Sequence, residues 1–276
     1  ADGRPRAAPQ LMGIVNVTPD SFSDGGIHAD PAAAIAHALG LAAAGADILD
    51  IGGESTRPGA APVSPAAELA RVLPVLEDLA QRRAASLPGV VLSIDTRHAL
   101  VMRAALAAGV DIINDVTALG GDPDSLAVAV ASDACIVLMH MQGEPWTMNT
   151  APAYDNVALD VFDYLESRIE TCIAAGIDRR RLIVDPGLGF GKRHTQNTAI
   201  LRSLGLFHGL GCPILLGASR KGFAPGHKAM EPQQRLPASL AAAMHGLSVG
   251  VQYLRVHDVA ETRQVVELWQ RLVADV

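Results

Sequence analysis

Cysteine, lysine and aromatic residues are all scarce in this 276-residue chain. The three cysteines, Cys135, Cys172 and Cys212, are odd in number and form no CxxC pair. Neither a disulfide framework nor a cysteine-based zinc site is indicated, and a reducing cytoplasm is the simplest setting. Aromatics make up only 4% of the chain, too few for a base-stacking nucleic-acid surface. A net charge of −7 also argues against a nucleic-acid or anionic-membrane partner. No apolar run approaches the roughly 18 residues of a membrane span. The histidines show no metal-ligand spacing. No GxGxxG follows the first apolar run, and GLGFGK (187–192) lacks the GxxxxGK[ST] spacing of a phosphate loop. The opening ADGRPRAAPQ has no apolar signal region and reads as a flexible leader (1–10) ahead of one domain (11–276).

What the chain does have is a repeated pattern. Eight short apolar runs each end in a polar or Gly-rich cluster, at 11–22, 48–59, 90–97, 112–116, 135–145, 182–192, 213–222 and 253–259. Strand-like residues come first, and Asn, Asp, Ser, Arg, Lys or His follow. A barrel of parallel strands presents its chemistry in this way, at the carboxyl ends of the strands. Helix-like segments fill the intervals at 31–46, 64–85, 97–109, 122–133, 157–176, 198–210, 235–250 and 259–276. Ser64 is a candidate N-cap with Pro65 at the first helical position. Gly45, Gly109, Gly176 and Gly250 stand where helices should end. With 49% apolar residues and about 250 residues needed, the expected fold is a single (β/α)8 barrel of the α/β class. An open doubly wound sheet is the competing architecture.

The polar clusters carry the candidate chemistry. Asn16 closes the first run ahead of a Pro- and Gly-containing loop. Its neutral oxygen suits Mg²⁺ held mainly by a phosphate ligand, and an Asx turn is the bland alternative. The second loop (52–59) carries one cation, Arg57, able to clamp a carboxylate or phosphate. Asp95, Asn114, Asp115 and Asp185 end the third, fourth and sixth runs. Acids at strand ends are costly unless partnered, and together they suit a ligand rich in N–H donors. Asp95 before Thr96 is also a fair helix cap. Asp50 and Glu54 are read as structural. Arg255 and His257 are two apart and share a strand face. Next to Ser219-Arg220-Lys221-Gly222 they form a candidate phosphate site, where such barrels commonly bind phosphate. Lys221 stands out because the chain has only three lysines. His140, alone in an apolar run, reads as a hydrogen-bonded core residue.

Taken as a set, GIVNVTPDSFSDGG, IGGESTRPGA, SIDT, INDV, MHMQGEPWTM, DPGLGFGK, GASRKGF and RVHDV resemble the dihydropteroate synthases. They occur in that family's order and span residues 12–259. The resemblance implies a transferase of folate synthesis that joins 6-hydroxymethyl-7,8-dihydropterin diphosphate to para-aminobenzoate, with pyrophosphate as the second product. By the same resemblance Asp95, Asn114, Asp185 and Lys221 hold the pterin. Asn16 ligates Mg²⁺ on the diphosphate, and Thr56, Arg255 and His257 grip its oxygens. Phe22, Arg57, Pro58, Phe190 and the backbone at Gly222 shape the aminobenzoate pocket. Asp20, Arg57 and Lys221 are the catalytic candidates, with Asp20 steadying positive charge at the exocyclic carbon. Gly222 departs from members that carry serine there, leaving only a backbone N–H for the aminobenzoate carboxylate. A homodimer built on the later helices is implied, and the 18–30 and 53–64 loops are expected to close over the site.

Two other readings stay open at this point. The methyltetrahydrofolate–corrinoid methyltransferases share a related pterin pocket and would need a corrinoid protein rather than a diphosphate. A pterin-binding paralogue without turnover would lack Asn16, Asp95, Lys221 or Arg255, and all four are present.

Overall fold

The computed structural model describes residues 8–18, 30–55, 61–143, 147–148, 152–222, 226 and 229–274. Eight strands alternate with helices: β1 (Gln10–Asn16), α1 (Pro31–Ala43), β2 (Ile48–Gly52), α2 (Pro65–Ser86), β3 (Val91–Asp95), α3 (Ala99–Ala107), β4 (Ile112–Asp115), α4 (Ser125–Val130), β5 (Cys135–Met139), α5 (Val157–Ala174), β6 (Leu182–Asp185), α6 (His194–Arg202), β7 (Leu215–Leu216), α7 (Leu236–Val249), β8 (Tyr253–Val256) and α8 (Val259–Ala274). All strand pairs are parallel, in the order β6-β5-β4-β3-β2-β1-β8-β7. A bridge between Val184 and Ile214 joins the two ends of that order, with Val184 N–H donating to Pro213 O at 2.9 Å. The sheet therefore closes, and the open doubly wound alternative is eliminated.

Both faces of each strand are buried, as a parallel sheet requires, yet the faces belong to different cores. Outward residues such as Leu11, Leu49, Leu92, Ile113, Ile136, Val184 and Leu254 pack with the helices. Inward residues Met12, Ile48, Ile112, Val137, Ile183 and Leu215 form a separate cluster filling the barrel, with Val91 and Tyr253 against it. Two residues further along the same strands, strand alternation brings Asp50, Ser93, Asn114, Asp185 and Arg255 to the same inward face. The site grows out of this second layer.

The helix signals hold at most positions. Ser64 Oγ accepts from Ala67 N–H at 3.3 Å, with Pro65 opening α2. Gly45, Gly109, Gly176 and Gly250 all have φ between 87° and 101°, the left-handed region that ends a helix cheaply only at glycine. Along α8 the buried residues Val259, Thr262, Val266 and Trp269 fall on one helical stripe.

Three helical expectations need correction. The 198–210 helix is in fact α6, starting at His194, followed by a 3₁₀ stretch Leu204–Leu210. Gly205 and Gly209 weaken an α-helix there. The 97–109 helix begins at Ala99, because His98 is extended at its cap position. The 122–133 helix shortens to Ser125–Val130. Asp122 is used elsewhere, accepting from Ala99 N–H at 2.9 Å and Asp124 N–H at 3.0 Å. His98 holds the N-cap position of α3 with no side-chain cap bond, and Asp122, not Asp95, accepts the Ala99 N–H at its start.

Candidate active site

Strand register sets the site. Asn16 pairs with Gly52, Gly52 with Asp95, and Asp95 with Asn114, so three of the expected residues stand level at the carboxyl end of the barrel. Asp185 ends β6 opposite Met139. Arg255 crosses the mouth to join them. Its Nε donates to Asp50 Oδ2 at 2.6 Å, and its Nη2 donates to Asp95 Oδ2 at 2.5 Å. Asp50 also accepts from Ser93 Oγ at 2.6 Å and Asn114 Nδ2 at 3.0 Å. A fully buried carboxylate is tolerable because three donor groups satisfy it. Burial works to lower the Arg255 guanidinium, but Asp50 and Asp95 override it and hold its pKa above the ordinary value. Burial pushes the Asp95 carboxyl up to about 7, with Arg255 opposing and Asp50 adding repulsion.

Arg255 was expected on the diphosphate. Its Nε and Nη2 in fact serve carboxylates, which makes it first the brace of the Asp50–Asp95–Asn114 group. Its side chain keeps 20% exposure, and the remaining N–H groups are what it can offer an anion. Asp50, read from sequence as structural, is the residue on which this group converges. The signal was present: two residues after buried Ile48, strand alternation turns Asp50 inward.

A second group forms around Asp185. Its Oδ1 accepts from Gly187 N–H at 2.7 Å. Burial raises its pKa, with the Lys221 ammonium the chief opposing influence. Burial lowers Lys221 to about 8, opposed by Asp185. Lys221 donates to Leu188 O, and its ammonium lies 4.6 Å from the Phe190 ring centroid. A Cβ at Gly217 would stand 3.5 Å from Asp185 Oδ2 and 3.9 Å from Lys221 Nζ. This glycine, which sequence reasoning passed over, keeps open the space between acid and base. Gly222 follows Lys221 and is half-buried.

The third group lies on the β7 and β8 side. His257 N–H donates to Ser219 Oγ at 3.1 Å, and His257 Nδ1 lies 3.1 Å from the same hydroxyl. Arg220 takes φ 56° and pairs with Asp258 through Nε at 3.0 Å and Nη2 at 2.5 Å. The SRK and RVH segments are therefore joined, as expected of neighbouring loops. The second loop is tied at its roots. Glu54 accepts from Arg97 Nε at 2.8 Å and Nη2 at 3.0 Å, and from Val63 N–H at 3.0 Å. Asp20, Phe22, Thr56, Arg57 and Pro58 lie outside the described residues, as does most of the 18–30 loop and the middle of the 53–64 loop.

The GLGFGK segment is no phosphate cradle. Its Gly187 and Gly189 amides are used internally, the latter donating to Asn197 Oδ1 at 2.6 Å. Asp115 likewise turns away from the mouth to organise its own loop, accepting from Thr117 N–H at 2.7 Å and Leu119 N–H at 3.0 Å. His140 is buried and bonded, as its apolar setting predicted. Among the described residues, no group of three or more His, Cys, Asp or Glu could hold a metal ion. Asn16 therefore offers a cation one neutral oxygen, a donor set that fits Mg²⁺ delivered with a diphosphate and not a metal caged by protein.

Residues 12–257 match the family described as pterin binding enzyme. The dihydropteroate synthase of Escherichia coli is 45% identical over 260 residues, covering 94% of this chain and 90% of that protein. The chain belongs to the dihydropteroate synthase family. The Yersinia pestis dihydropteroate synthase, solved as a sulfonamide drug complex, superposes with a TM-score of 0.89 at 43% identity, over 98% of this chain and 95% of that one. The Xanthomonas albilineans enzyme in complex with 7,8-dihydropteroate gives 0.85 at 45% identity, over 97% and 94%. Membership of this family makes the chain a transferase of folate biosynthesis. It sets aside the corrinoid methyltransferase reading.

Proposed function

We propose that the barrel mouth condenses 6-hydroxymethyl-7,8-dihydropterin diphosphate with para-aminobenzoate by dissociative substitution, with the pterin held on Asp95, Asn114, Asp185 and Lys221. The observation that carries this reading is the Asp185–Lys221 pair facing one gap beside Gly217. A carboxylate and an ammonium bordering one gap match a ring edge that presents N–H donors next to a carbonyl or ring-nitrogen acceptor. Asp95 and Asn114, braced by Arg255, supply the opposite wall. Phe190 stands at the Lys221 end, where the aminobenzoate ring would lie against it, with the Gly222 N–H for its carboxylate.

The diphosphate lies toward Asn16, His257 and the free edge of Arg255, with Thr56 contributing from its loop. Mg²⁺, when bound through Asn16 and the diphosphate, neutralises charge on the leaving pyrophosphate. The C–O bond to the exocyclic methylene breaks, and its electron pair leaves with the pyrophosphate. The electron-rich dihydropterin spreads the resulting positive charge, and the role assigned to Asp20 is to steady it. The aminobenzoate nitrogen then attacks, forming the C–N bond and losing one proton to solvent. An aniline nitrogen is neutral at pH 7, so it needs positioning by Phe190, Arg57 and Pro58 more than a strong base.

The finer assignments follow the same reading. Unpaired thiols at Cys135, Cys172 and Cys212 suit a reducing cytoplasm. Leu268 and Leu272 of α8 are more than half exposed, and they offer the apolar surface for a homodimer. A clean monomer in sedimentation would remove that part.

The test is pyrophosphate and dihydropteroate production with pterin diphosphate, Mg²⁺ and para-aminobenzoate. Lys221→Ala should lower kcat/KM at least about a hundredfold, as loss of a buried charged donor to a ligand does. Tight pterin binding with no turnover by the wild type would instead mark a binding paralogue. An enzyme-linked pterin trapped in a single turnover would exclude the dissociative route.

A further inference from the structure

The mechanism leaves one buried ammonium unused. Lys192 closes the GLGFGK segment and is only 5% exposed. Its Nζ lies 2.8 Å from Gly187 O, 3.0 Å from Phe190 O and 2.9 Å from His140 Nδ1, with His140 O at 3.3 Å. An ammonium has three protons, and three acceptors stand within 3.0 Å. Burial draws the Lys192 amine well down from its ordinary value, with Asp185 opposing, and holds the His140 imidazole neutral. With Lys192 as the donor, His140 Nδ1 accepts and its ring proton sits on Nε2. The segment wraps its own lysine with carbonyl groups, the inverse of a phosphate loop that presents N–H groups to an anion.

The wrap has a second side. Gly187 O and Phe190 O turn inward to Lys192, while Leu188 O, between them, accepts from the Lys221 ammonium. Phe190 also places its ring beneath that ammonium. The backbone is pressed hard against the end of β5. At Gly187, φ is 69°, and a Cβ there would fall 1.9 Å from His140 O. Asn197 completes the wrap, accepting from Gly189 N–H and donating to Lys192 O at 3.1 Å.

We propose that Lys192 is a positioning residue of the reaction: held by His140, it fixes the Gly187–Gly191 backbone so that Leu188 O and Phe190 place the Lys221 ammonium and the aminobenzoate wall. This rests on the reading of Lys221 and Phe190 as substrate-contacting residues. Lys192 itself touches no substrate and acts through the loop. Its role predicts a defect in substrate affinity, because a displaced wall weakens binding. A lysine that merely stabilised the fold would lower the folded fraction, and so apparent kcat, while leaving both KM values alone.

The experiment is steady-state kinetics well below the melting temperature for Lys192→Met, His140→Leu and His140→Asn, with Phe190→Ala and Lys221→Ala as controls. Lys192→Met should raise KM for para-aminobenzoate about tenfold, a magnitude expected for a sub-ångström to ångström misplacement. His140→Leu should raise it severalfold. His140→Asn puts an amide oxygen near the place of Nδ1 and should return KM to within about twofold of wild type. Wild-type KM values in Lys192→Met would overturn the proposal, whatever its melting temperature. Should Lys192→Met fail to fold, equal KM values for His140→Leu and His140→Asn would overturn it. If Phe190→Ala and Lys221→Ala also leave both KM values unchanged, the site reading itself has failed. If those controls raise KM and Lys192→Met does not, only the role of Lys192 is lost.

Discussion

Two layers inside the barrel lie only two residues apart along the same strands, and they are chemically opposite. The lower layer is Met12, Ile48, Ile112, Val137, Ile183 and Leu215. The layer above it on the inward face holds Asp50, Ser93, Asn114, Asp185 and Arg255. Hydrophobic transfer holds the lower layer together and needs no specific partner. The upper layer is there in spite of desolvation, and each of its charges is buried against named donors or acceptors. Stability and chemistry are therefore separated by a single step of strand alternation. A side chain's layer, more than its identity, should decide what its loss does.

The sharpest way to break this contrast is Arg255→Met. It removes the cation that bridges Asp50 and Asp95 and leaves two carboxylates facing each other. Breaking a buried ion pair from one side costs about 3–5 kcal/mol, so urea denaturation should show that loss together with near-complete loss of turnover. Adding Asp50→Leu should recover part of the stability, because the unpaired charge is gone, and none of the activity. In the lower layer, Ile48→Ala should cost about 2–5 kcal/mol from lost transfer and a residual cavity. Both substrate KM values should stay at wild type. A KM change in Ile48→Ala would mean that the layers are mechanically coupled after all.

The same contrast explains what could be read in the chain. Polar clusters ending apolar runs betray the strand ends, so Asn16, Asp95, Asn114, Asp185, Lys221 and Arg255 stand out as candidates by position. Asp50 was missed because it lies inside a run, where polarity looks incidental until alternation is applied. Gly217 was missed because its contribution is the absence of a side chain. Lys192 was hidden differently. Its acceptors are backbone carbonyls of the loop it ends and of His140, 52 residues earlier in sequence, and no residue pattern records where a carbonyl points. The helix limits slip where side chains serve other helices, Asp122 the start of α3 and His98 the Glu68 carboxylate of α2.

The smallest expected effect separates the layers by pH, and it turns on Lys221. Burial draws its ammonium down to about 8, with Asp185 resisting. In the unfolded chain the same lysine keeps its ordinary value of about 10.4. Between those two values the unfolded state binds more protons than the folded one, so this group's contribution to stability rises with pH. Below about 8 the folded protein instead carries a desolvated ammonium whose cost the acid only partly offsets. Activity should run the other way. If Lys221 holds the pterin as proposed, the site needs its charged form, and kcat/KM should fall about tenfold per pH unit once the pH passes about 8. Wild type and Lys221→Met, compared by urea midpoint at about pH 7 and about pH 9, should show their difference moving in favour of wild type as pH rises. No lower-layer variant should alter that trend. A flat kcat/KM well beyond pH 9 would place Lys221 near its ordinary value, and Asp185 would then be compensating fully for burial.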